Sequence, residues 1–68
     1  MATVTWDITS NKFPVVVIKK VREILGWDMA VTKHAVDSGK IENIDEAKAH
    51  QIADVLKEEG ITDIKISD

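Results

Sequence analysis

Cysteine is absent from this 68-residue chain, proline occurs once (Pro14), glycine three times, and the only aromatics are Trp6, Phe13 and Trp27. Without cysteine there is no disulfide and no thiolate metal site, and the redox compartment is left open. Histidine is also scarce. His34 and His50 fall on different predicted helices with no carboxylate or cysteine at ligand spacing, so neither a metal nor another cofactor is expected. No glycine-rich phosphate loop, nucleotide fingerprint or Ser/His/Asp constellation occurs. The acidic residues Glu42, Asp45, Glu46, Glu58 and Glu59 read as solvated face and helix ends, since nothing in their spacing makes an acid/base pair converge on a cleft. The chain is therefore not expected to be an enzyme. Too few aromatics accompany its cations to stack bases, Trp27 being the one candidate, so no direct nucleic-acid binding is expected. No apolar run approaches the roughly 18–20 residues of a membrane span. The opening Met1-Ala2-Thr3-Val4 has no basic region leading into an apolar stretch. A cytoplasmic chain with no membrane partner is the expectation.

What the chain does have is aliphatic residues, enough at 44% hydrophobic content for one compact core spanning residues 1–68. Its net charge of −3 conceals an asymmetry. Residues 11–40 carry six cations against three anions, whereas residues 41–68 carry three cations against eight anions. A positive half beside a negative half suits docking to an acidic protein surface better than following a phosphate backbone.

Thr3–Thr9 alternates, with Val4, Trp6 and Ile8 on one face, and predicts a half-buried strand. Phe13 to Ile18 is ambiguous, because four consecutive β-branched residues favour a strand. Pro14 nevertheless fits the first position of a helix, and apolar spacings of three and four continue through Leu25 until Gly26, a suitable left-handed cap. The prediction is a helix over Val15–Leu25. Asp28 can cap a second helix, Met29–Asp37, with Met29, Thr32, Ala35 and Val36 inward and Lys33 paired with Asp37. Lys40–Ile44 reads as a short strand or an extended link. Asp45 caps a third helix, Glu46–Glu59, with Ala49, Ile52, Val55 and Leu56 inward, ended by Gly60, and Thr62–Ser67 closes as a strand with Ile64 and Ile66 inward. The order β-α-α-β-α-β describes an α+β two-layer sandwich, three helices on one face of a three-stranded sheet.

The first helix carries more apolar surface than a core needs. Val17, Val21, Ile24 and Leu25 form one side, while Val15, Ile18, Lys19 and Arg22 are expected on another, mixing aliphatic and basic side chains at the surface. Such a strip suits partner docking, with burial supplying affinity and cations supplying steering. In the plainer reading, Val15 and Ile18 pack within the domain and the charges are merely solvated. Lys33 either completes the basic patch or only pairs with Asp37. Trp27 either anchors a partner or plugs the junction of two helices.

The run Val17-Ile18-Lys19-Lys20-Val21-Arg22, with Gly26, Met29 and Lys33 after it, resembles the C-terminal domain of the bacterial large-subunit ribosomal stalk protein, the L seven/L twelve family. Ala53-Asp54-Val55-Leu56-Lys57-Glu58-Glu59-Gly60, followed by an alternating strand, is similar to that domain's ending. The likeness covers nearly the whole chain. It implies the same β-α-α-β-α-β fold and a non-enzymatic interaction module. Its translation partners would be translational GTPases, elongation or initiation factors, met through Val15, Ile18, Lys19, Arg22 and Lys33. The chain departs from the family at Pro14, where a lysine is usual, at Val16, where a small residue is usual, and at Met29 in place of leucine. The turn keeps only Gly26 of the usual two or three glycines. The family's N-terminal dimerisation domain and hinge have no counterpart in these residues, so the chain is either an excised fragment or a free-standing relative. Met1-Ala2 and the close at Asp68 favour the second, expected as a monomer. The alternative is an adaptor on the same fold that serves a non-ribosomal protein partner.

Overall fold

A computed structural model describes residues 1–68. Its elements are β1 (Ala2–Thr5), a 3-10 turn (Ile8–Ser10), α1 (Pro14–Leu25), α2 (Met29–Ser38), β2 (Lys40–Ile44), α3 (Glu46–Glu58) and β3 (Lys65–Ser67). The sheet is antiparallel with order β2-β1-β3. The architecture is α+β, in the β-α-α-β-α-β order expected, with the helices packed on the sheet. Along the helical layer α2 touches β2, α3 touches β1 and β3, and α1 packs against both neighbouring helices.

Val4 at the centre of the sheet pairs with Ile41 on one side and Ile66 on the other. On β2 the inward residues Ile41 and Ile44 are three apart, not two. A register shift accounts for this, since Ala2 faces Ile44 while Val4 faces Ile41, leaving one extra residue on β2. Asn43 sits there at φ 58, the bend of a β-bulge. Both isoleucines thereby reach the core.

β1 ends earlier than its alternation predicts. Trp6 and Asp7 still donate backbone N–H groups to Gly39 and Thr62, each at 3.1 Å. The Asp7 carboxylate then accepts from the Thr9 hydroxyl at 2.7 Å and the Thr9 N–H at 2.9 Å. This local capture of the backbone turns the chain out of the strand. Trp6 is buried as expected, but Ile8 is exposed and does not join the inner face. The last strand is likewise shorter than Thr62–Ser67, covering only Lys65–Ser67, with Ile64 and Ile66 half-buried.

α1 is helical from Pro14 in spite of its β-branched run. Gly26 ends it at φ 70, donating its N–H to the Arg22 carbonyl at 2.7 Å. Asp28 caps α2 through a bond from the Ala30 N–H at 3.0 Å, and the buried Thr32 hydroxyl donates to the Asp28 carbonyl at 2.9 Å. Asp45 was expected to cap α3 in the same way; it holds the N-cap position, but its side chain makes no cap bond. On α3 the buried residues are Ala49, Ile52, Ala53 and Leu56, Val55 being only half-buried. Lys20 of α1 reaches Glu59, just beyond α3, at 3.2 Å.

Gly39 ends α2 at φ 72 where the chain passes closest to the 3-10 turn. A Cβ there would stand 2.5 Å from Ile8 Cγ2 and 3.0 Å from the Trp6 carbonyl oxygen, whereas at Gly26 nothing lies within 4 Å. Both positions carry the left-handed penalty, but only Gly39 adds overpacking. Gly39→Ala is expected to destabilise by about 3 kcal/mol and Gly26→Ala by about 1 kcal/mol in urea unfolding; equal losses would contradict the close approach.

The side-chain bond from Thr9, reinforced by the one from its N–H, holds the Asp7 carboxyl below its ordinary pKa. A depressed carboxylate stabilises the fold above its unfolded pKa, and that contribution is lost as pH falls through the folded value. Thr9→Ala should move the Asp7 midpoint upward in an NMR titration, and an unmoved midpoint would remove the hydroxyl as the cause.

Candidate partner-docking face

Four of the residues expected to form the docking strip stay accessible, and one does not. Val15 is 63% exposed, and Lys19, Arg22 and Lys33 are exposed. Ile18 is only 7% exposed and belongs to the core with Val17 and Val21. Its expected place on the outer strip is corrected by helix geometry. Ile18 and Leu25 are seven positions apart, two turns of helix, and so share a face. Leu25 packs on the core, and the buried arc of α1 therefore extends over Ile18. With helices on both sides of it, α1 can bury a wide arc.

The strip gains residues at its beginning. Phe13 is 61% exposed, and Val16 is exposed as well. Val16 and Phe13 were not expected there. Four β-branched residues in a row cannot all reach the core from one helix, and this surplus was the available signal for Val16. For Phe13 the signal was its position at the helix's edge, where the N-cap residue offers no side-chain bond.

Beside the strip lies a hollow of about 510 Å³, bordered by Lys19, Arg22, Glu23, Gly26, Trp27 and Met29. It forms where α1 stops at Gly26 and α2 starts after Asp28. Met29 was expected to face inward, but it is exposed and borders the hollow. At the first position of its helix it has no preceding turn to lean on. Trp27 is half-buried against the core, which fits a plug at the helix junction, and its remaining surface borders the hollow. A smaller hollow of about 160 Å³, between Trp27 and the β2–α3 junction, shares this side chain as a wall.

The cations differ in how they are held. Arg22 donates Nε–H to the Trp27 carbonyl at 3.2 Å, which ties its guanidinium to the turn. Lys19 makes no ion pair within the chain, whereas Lys33 meets Asp37 at 2.7 Å on an exposed flank. Such a surface pair contributes on the order of 0.5 kcal/mol, so it does not prevent Lys33 from turning to a partner. No group of histidines and carboxylates is arranged to hold a metal, and no helix is long and apolar enough to cross a membrane.

Compared with protein-family models, with curated proteins and with solved structures, the chain has no significant match in any of the three.

The burial difference along α1 has a direct consequence. Ile18→Ala should cost about 2–4 kcal/mol of stability in chemical denaturation, while Val15→Ala should stay within about 0.5 kcal/mol. Comparable losses at the two sites would refute this division into inner and outer residues.

Proposed function

We propose that the chain is a non-enzymatic protein-interaction module that docks a partner on the outer face of α1 and the adjoining turn into α2. One observation carries the reading: Val15, Lys19 and Arg22 are all exposed on α1, and the latter two border a hollow with an apolar wall. Aliphatic surface there gives a partner something to bury, and the cations attract and orient an acidic surface. The acidic C-terminal half of the chain disfavours a nucleic acid as that partner.

Resemblance to the ribosomal stalk domain makes a translational GTPase, an elongation or initiation factor, the partner of choice. The contact set is Val15, Lys19, Arg22 and Lys33, with Trp27 at the edge of the hollow; Ile18 supports it from below. Lys19→Glu and Arg22→Glu alter exposed side chains, so each should leave the circular dichroism spectrum unchanged. Each should weaken binding to an elongation factor about tenfold at low salt, with a smaller difference at high salt as screening grows. Binding of both variants at wild-type strength would refute the proposal. Failure of the wild-type chain to bind any translational GTPase, while another protein is captured in an Arg22-dependent way, would favour an adaptor on the same face.

A further inference from the structure

We infer that the hollow at the α1–α2 turn selects partner segments of mixed charge, with Glu23 as the specificity-determining residue. The inference rests on the docking reading above and goes beyond it in naming the ligand's chemistry: a peptide segment presenting an apolar side chain, a carboxylate and a cation together.

The border of the hollow is where this chemistry is written. Trp27 and Met29 supply apolar wall, and Gly26 adds no side chain. Lys19 and Arg22 supply positive charge and Glu23 supplies negative charge to the same space. At about 510 Å³ the hollow is within the range of roughly 300–1,000 Å³ typical of ligand sites, enough for one large apolar side chain with polar heads beside it.

Arg22 is set for a carboxylate. Its Nε is already bonded to the Trp27 carbonyl, so the guanidinium is fixed and its terminal nitrogens are left to bind an oxygen pair. Glu23 is free in a different sense. It stands one helical turn after Lys19, a spacing at which ion pairs form, yet none links them. Lysine preceding glutamate is the weaker order for such a pair. Both side chains instead border the hollow, and the anion is available to an incoming cation.

Selection follows from the arrangement. A purely acidic segment would satisfy Lys19 and Arg22 and meet repulsion from Glu23. A purely basic one would pair with Glu23 and be repelled twice. Only a segment carrying both signs beside an apolar anchor satisfies all three charges, and the repulsive element is what separates it from acidic competitors.

A random peptide library displayed against the full chain, and separately against a Glu23→Lys variant, tests the idea, with NMR shifts locating each selected peptide. Wild-type selection should return peptides that combine an acid, a base and a large apolar residue and that shift Arg22, Trp27 and Met29. These should bind Glu23→Lys about fivefold more weakly, and selection on that variant should return acidic peptides without the base. If peptides map to the hollow and lose binding with Arg22→Glu, but bind Glu23→Lys within about twofold and with unchanged charge composition, this inference is overturned and the docking reading stands. If selected peptides ignore Arg22→Glu and shift other residues, the docking reading itself fails, and the selectivity with it.

Discussion

Four β-branched residues in succession, Val15 to Ile18, lie in a helix only because the core holds them there. On its own this stretch would prefer an extended chain. Val17, Ile18 and Val21 are buried among residues from the sheet and the other helices, and α1 is flanked by both α2 and α3. Burying three such side chains contributes several kcal/mol, far more than the few tenths per residue by which helix propensity disfavours them. Pro14 and Gly26 then set the limits of the helix. Everything outside the core on α1 follows from that packing, because a helix wedged between two others has a single outer face left.

That outer face was only partly legible in the sequence. The element order, the glycine stop at Gly26 and the Asp28 cap could be read from spacing and residue type, because they depend on chemistry within a few positions. Val15, Lys19 and Arg22 could be assigned outward for the same reason. Ile18 could not be assigned from charge neighbours alone. It adjoins Lys19 in sequence and Arg22 one turn on, yet shares a face with Leu25, and the width of the buried arc is set by helices distant in the chain. Ile8 failed in the opposite sense. Its alternation with Val4 and Trp6 is real, but the Asp7 carboxylate captures the Thr9 N–H and hydroxyl, and a local polar bond outweighs a hydrophobic period at the end of a strand. β2 shows a third case, where apolar spacing of three fits a strand only through the bulge at Asn43.

The hollow arises from a conflict between two helix ends. Gly26 closes α1 and Asp28 opens α2, so a single residue, Trp27, has to bridge them. A large ring at that point cannot be fully buried. Half of it packs on the core and the rest borders open space on both sides of the turn. A smaller residue would leave less apolar wall, and a flexible turn with more glycines would leave Arg22 without a fixed carbonyl to bond. Gly26, Trp27 and Met29 thus shape the hollow together with the fixed Arg22.

Charge gives the arrangement its direction. Lys20, facing α3, is tied to Glu59 and contributes to holding α1 in place. Lys19, one residue earlier and on the outer side, is unpaired. Adjacent lysines thereby serve opposite ends, one fixing the helix to its neighbour and the other facing solvent. On the proposed docking reading, the unpaired Lys19 and the exposed Arg22 would draw an acidic surface to α1, while the net negative charge of residues 41–68 would disfavour its approach from the C-terminal side. Under the same proposal the charges would orient the partner, and the exposed Val15 and Val16 would supply burial after contact.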